Sequence, residues 1–196
     1  VIFKGKARIT GDFKDHIKYD KDPLKSVTSL SISLKKSNIG GVTNFRLLLP
    51  SSRQHQNEIF WSSLMEEIGF PVPLRRYINV DFAGTNHTFI FEEKPEKEFL
   101  ESIGIREAPI IEFDERQIWA NRSIGINDKH SQQWKVKNSD FIKNDISQII
   151  SFRAISPEKK DLKNKVLKYY DQINKTHAYH GLASHNRKFI YDPIYN

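Results

Sequence analysis

Hydrophobic and polar positions alternate strictly from Ser29 to Lys35, with Leu30, Ile32 and Leu34 on one side and Ser31, Ser33 and Lys35 on the other. That period of two predicts a half-buried strand. Asn38, Gly40 and Gly41 follow as a tight turn, and the apolar run Phe45 to Leu49 stops at Pro50. Tyr77 to Phe82 and Thr88 to Phe91 flank the turn residues Ala83 to Asn86 and predict a hairpin. With Phe3 to Ile9, the first half of the chain reads as about five strands. One helix stands among them. Asn57 is its predicted N-cap, Glu58 lies in the favourable first turn, Ile59, Phe60, Leu64 and Ile68 form an apolar stripe, and Gly69 with Pro71 ends it.

The second half has a different texture. Phe99 to Ile103 reads as a short helical stretch and Ile110 to Phe113 as a strand, whereas Ile118 to Asp140 is polar, lacks periodicity and predicts a loop or insertion. Ser156 then caps a helix with Pro157 at its first position. Leu162, Val166, Tyr169, Tyr170 and Ile173 recur at helical spacing, with lysines on the solvated side. A polar histidine-rich loop, His177 to Asn186, leads into the strand-like stretch from Lys188. The boundary between halves falls at Glu93 to Pro95, giving a strand-rich part over 1–93 and a connector with a mainly helical part over 94–196. The fold class is α+β.

Composition bounds the chemistry. The 196 residues are 38% apolar and include 13 Phe, 7 Tyr and 3 Trp, enough for a real core. Disulfide scaffolds, thiol nucleophiles and cysteine metal sites are excluded, because the chain has no Cys. The net charge of +7 favours a polyanionic partner such as a nucleotide, a nucleic acid or a phosphorylated polymer. No stretch approaches the roughly 20 apolar residues of a membrane span. The chain opens on Val1 and stops directly after Phe189 to Ile194, which predicts a piece of a longer protein, cut at both ends.

Strands around one helix, then a connector, then a helical part is the layout of a protein-kinase-like fold, two lobes with nucleotide between them. The chain also resembles the spore coat protein H (CotH-like) family of atypical kinases. The resemblance is carried by Gly11-Asp12-Phe13-Lys14-Asp15-His16, by Ser33-Leu34-Lys35-Lys36-Ser37-Asn38-Ile39-Gly40-Gly41, and by Phe45-Arg46-Leu47 with Pro50-Ser51-Ser52-Arg53. It continues through Asn57-Glu58, Ile78-Asn79-Val80, Phe91-Glu92-Glu93, Arg106-Glu107-Ala108-Pro109-Ile110 and the block His185-Asn186-Arg187-Lys188-Phe189-Ile190-Tyr191-Asp192-Pro193. These blocks run in the family's order over nearly the whole chain. The resemblance implies a strand-rich N-lobe with one long helix, an incomplete C-lobe, ATP with Mg²⁺ or Mn²⁺, and phosphoryl transfer to a protein hydroxyl. It also implies a bacterial setting, in the cytoplasm or at the cell envelope.

Phosphoryl transfer needs cations on the phosphate oxygens, oxygen ligands for a metal and a group that orients the nucleophile. Lys35 is the candidate phosphate cation, since it shares a strand face with Ser31 and Ser33; the two serines depart from the family, which usually carries basic residues there. Glu58 would orient it from the helix, as the helix glutamate of kinases orients its lysine. By the same resemblance Arg8 and the Gly11 turn would lie near the phosphates, and Glu92 with Glu93 would end the last strand where the connector passes the adenine. Asn186 is the candidate metal-binding amide and catalytic-loop residue. An ordinary kinase loop has an Asp five residues before that Asn. Here the position is Gly181, and the adjacent His180 is the candidate base. The second metal carboxylate would follow Asn196. His177, His180 and His185 lack the accompanying ligands that a zinc site requires.

Two other functions compete. Gly181, Ser31 and Ser33 suit a kinase-fold binding or scaffold module without catalysis. The positive charge with Trp61 and Tyr77 suits a nucleic-acid-binding domain, although the charges are scattered and no nucleic-acid motif is present.

Overall fold

The computed structural model describes residues 2–11, 16–22, 26–82, 84–108, 110–114, 125–127, 160–182 and 186–190. The chain divides into two compact units, residues 1–105 and 106–196. The fold class is α+β, as the alternation and helix signals predict.

In the first unit the elements follow as β1 (Gly5–Ile9), β2 (Ile17–Lys18), β3 (Val27–Thr28), β4 (Leu30–Leu34), β5 (Asn44–Leu48), α1 (Gln56–Glu67), β6 (Arg75–Phe82), β7 (Thr85–Glu93) and α2 (Lys97–Ser102). Five strands form one antiparallel sheet in the order β1-β4-β5-β7-β6, while β2 and β3 pair separately. α1 therefore enters the chain between the third and fourth strands of this sheet.

One face of the sheet carries the main core. Phe45, Leu47, Phe89 and Phe91 are buried with Val27, Val42 and Leu49, and the predicted stripe Leu30, Ile32, Leu34 packs against them. The Phe45 and Phe91 rings stack with centroids 4.8 Å apart. Truncating a side chain as fully buried as Phe89 costs about 3–5 kcal/mol.

The opposite face meets α1, and here the sequence reading needs correction. The helix begins at Gln56 behind His55, which has φ 56° and makes no side-chain cap, so Asn57 is not the N-cap. The reason is the 3-10 turn Pro50–Arg53, which runs through left-handed Gln54 and His55 straight into the helix and places the Asn57 amide on the Gln54 carbonyl. Phe60, expected in the buried stripe, is 62% exposed, and the buried residues of α1 are Ser62 and Met65. Glu58, Ser62 and Met65 share one face at helical spacing. The helix turns a partly polar face inward because polar partners await it on the sheet.

α2 is tied back to the sheet. Thr43 donates to Glu98 at 2.8 Å and the Asn44 amide donates to Glu96 at 2.7 Å. The first unit runs to Ile105.

The second unit holds β8 (Ile110–Asp114), β9 (Gly125–Asn127), the helix α3 (Lys160–Thr176), a 3-10 turn Tyr179–Leu182 and β10 (Lys188–Ile190). Its strands form an antiparallel sheet in the order β10-β8-β9, so a strand lies inside the segment expected to be loop. Ile173 anchors α3 with no exposed surface. The rest of the 118–140 loop, the cap at Ser156 and Pro157, and His185 lie outside the described residues. No helix among the described residues is long and apolar enough to cross a membrane.

Candidate functional site

Register assembles the charged residues of the first unit. Arg8 on β1 pairs with Ser31 on β4, Ser31 with Arg46 on β5, Arg46 with Glu92 on β7, and Glu92 with Arg75 on β6. Residues paired in register point to the same face, so these five form one row across the whole sheet. The row lies on the α1 side, opposite the phenylalanine core.

Glu92 is the centre of the row. Arg46 Nη1 donates to one of its carboxylate oxygens at 2.8 Å, and Arg75 Nε donates to the other at 3.0 Å. Arg75 also meets Glu58 of α1 at 3.2 Å and donates from Nη1 to the Ser62 hydroxyl at 2.9 Å. The Ser62 hydroxyl in turn donates to the Glu58 carbonyl at 2.8 Å. Burial by itself would raise the Glu92 carboxyl, but Arg75, then Arg46 and Arg53, outweigh it and hold the pKa at about 2. For Arg75, burial is likewise outweighed, by Glu92 and Glu58, and its pKa is raised. Arg53, at the end of the 3-10 turn, keeps a buried Nε without a hydrogen-bond partner. Three guanidiniums thus surround two carboxylates. The cluster has spare positive charge.

The expected site residues are distributed unevenly around this row. Arg8 belongs to it and is exposed. Glu58 is at its helix end, but its partner is Arg75 and not Lys35. Lys35 lies one residue past the end of β4 and is exposed, because the strand stops at Leu34. Glu92 and Glu93 end β7, as expected, but they are 4% and 5% exposed. Glu92 is committed to the two arginines, while Glu93 on the other face accepts from the Leu74 amide at 3.1 Å. Gly11 has φ 113°, and a Cβ there would overlap the His16 ring, so this glycine makes room for the His16 side chain.

In the second unit, Gly181 sits in the 3-10 turn after α3. Its carbonyl accepts from the Tyr169 hydroxyl at 2.7 Å, and a Cβ at 181 would stand 2.9 Å from that oxygen and 3.2 Å from Ile173 Cδ1. Asn186 is exposed just before β10, whereas the side chain of His180 lies outside the described residues. Among the described residues no group of three or more His, Asp or Glu could hold a metal ion. The described donor set does not by itself fit a metal centre.

Sequence reasoning missed Arg46, Arg75 and Ser62. A lone arginine inside the apolar run Phe45 to Leu49 was the available signal, since a charge in a buried strand needs a partner. Its partner stands 46 residues later on β7.

Compared with family models, with curated proteins and with solved structures, the chain finds no match.

Proposed function

We propose that the chain is part of a CotH-like atypical kinase that binds ATP and transfers its terminal phosphoryl group to a protein hydroxyl. The observation that carries this reading is the place of α1. It follows the third strand of the five-stranded sheet, and its first-turn Glu58 pairs with Arg75 at the end of the charged row on that sheet. Kinases place a phosphate-binding cation and a helix glutamate in such a relation. The ordered sequence blocks from Gly11 to Pro193 point the same way. Mg²⁺ or Mn²⁺ would arrive on the nucleotide's phosphates, with Asn186 as the amide ligand carried over from the resemblance.

Thermal-shift titration with ATP and Mg²⁺ or Mn²⁺ tests the reading. The proposal expects the melting temperature to rise progressively as nucleotide approaches millimolar concentration. No shift at that concentration would overturn it.

A second reading rests on Gly181. Where kinases carry the catalytic Asp, this turn packs so closely on Tyr169 and Ile173 that no side chain fits without movement. That favours a nucleotide-binding module without transfer. Radiolabelled ATP separates the two: label moving onto protein supports the kinase, and tight binding without label supports the module.

A further inference from the structure

The strip of sheet between β1 and β5 carries a charge pattern that the nucleotide reading leaves unused. β4 contributes only Ser31 and Ser33 to the α1 side of the sheet here, a low floor two hydroxyls long. Lys6 and Arg8 of β1 pair with those serines from one side, and Asn44 and Arg46 of β5 from the other. Lys94 continues from β7 beside Asn44, to whose carbonyl its amide donates at 2.9 Å, and so shares the face with Arg46 and Glu92. Two strand spacings separate Arg8 from Arg46, about 10 Å between backbones. Ser31 between them is buried, at 5% exposed, so the open part of the floor is its Ser33 end. Lys6, Arg8 and Ser33 are exposed, so the strip is open at that end, unlike the Arg75 end that α1 approaches.

Its electrostatics call for an anion. Burial lowers the Lys94 pKa first, and Arg46 and then Arg8 lower it further against the opposing pull of Glu96 and Glu92. Cations from three strands are thus close enough to repel one another. Glu92 neutralises part of Arg46 and Glu96, held by the Asn44 amide, part of Lys94, yet Glu92 is shared with Arg75 and Arg53. An extended anion with several charged oxygens would relieve the repulsion and accept charge-assisted hydrogen bonds from both walls.

We infer that the triphosphate of the nucleotide lies over the Ser33 end of this floor, with Arg8, Arg46 and Lys94 as the cations that meet it in place of Lys35. This rests on the nucleotide reading for the identity of the ligand and goes beyond it in naming where the phosphates sit. Glu92 acts as a positioning residue. It fixes the Arg46 guanidinium and links it through Arg75 to Glu58 of α1, so the helix reaches the phosphate cation by a relay rather than by direct contact.

Binding of ATP, tripolyphosphate and adenosine by the chain and its variants tests the inference. Arg8→Ala and Lys94→Ala stand outside the ion pairs of Glu92 and carry the test even if Arg46→Ala fails to fold. Each is expected to weaken ATP and tripolyphosphate about tenfold, the worth of one charge-assisted hydrogen bond, and to leave adenosine unchanged. Lys35→Ala is expected to change ATP affinity by less than about twofold, as for an exposed charge without a set geometry. ATP affinity that survives both Arg8→Ala and Lys94→Ala, or collapses with Lys35→Ala, would overturn the inference and leave the nucleotide reading standing. Tripolyphosphate that binds in an Arg8- and Lys94-dependent way while ATP does not bind would remove the nucleotide and keep the anion site. A chain that binds neither would remove both.

Discussion

At the scale of single residues, Glu92 explains most of what holds the charged row in place. A buried carboxylate bridging two arginines is stable only while both partners remain, because an unpaired charge in that position is strongly destabilising. Its folded pKa of about 2 lies below the ordinary 4.5, so it contributes stability that is complete above about pH 4.5 and disappears as pH falls toward 2. The gap between those values corresponds to about 3 kcal/mol. Urea unfolding of the wild type should therefore lose midpoint steeply between about pH 4.5 and pH 2. Glu92→Gln should cost about 3–5 kcal/mol at neutral pH and flatten that dependence, since Arg46, Arg53 and Arg75 are left around a neutral group. A midpoint that falls equally steeply in the variant would assign the acid sensitivity to other carboxylates.

The elements themselves show how far the sequence could be read. The face of β4 was legible because Leu30, Ile32 and Leu34 meet an apolar core, and apolar burial imposes the period of two. α1 was legible as a helix and was placed in the wrong rotation. Two of its inward residues, Glu58 and Ser62, are polar, so the apolar positions of the sequence point to Phe60, which faces solvent. The row from Arg8 to Arg75 was not legible at all. It draws on five strands whose alignment is set by register, and register is a property of the folded sheet. Lys35 illustrates the cost of that gap: the alternation ran one residue beyond the point where β4 ends.

The turn after α3 makes its own prediction at this scale. Gly181→Ala places a methyl group 2.9 Å from the Tyr169 hydroxyl and 3.2 Å from Ile173, and overpacking of this kind costs about 1–3 kcal/mol. Combining it with Tyr169→Phe removes the nearest obstructing atom, although the bond to the Gly181 carbonyl is lost as well. The double variant should melt higher than the two single losses added together. Strict additivity would mean that the turn already has room for a side chain, and would weaken the case for a module without transfer.

For the whole molecule, the +7 charge first suggested any polyanion. Part of it is now located. Lys6, Arg8, Arg46 and Lys94 line one strip of the first unit, while Lys168 on α3 is solvated as expected. A row of cations read by charge should count phosphates. Calorimetric titration of the unmodified chain with adenosine, AMP, ADP and ATP is the most direct measurement. Affinity should rise with each added phosphate, and the gain should shrink at high salt as screening shortens the reach of the exposed cations. Equal affinity for adenosine and ATP, or no binding by any member of the series, would contradict a site built to hold the phosphates of a nucleotide.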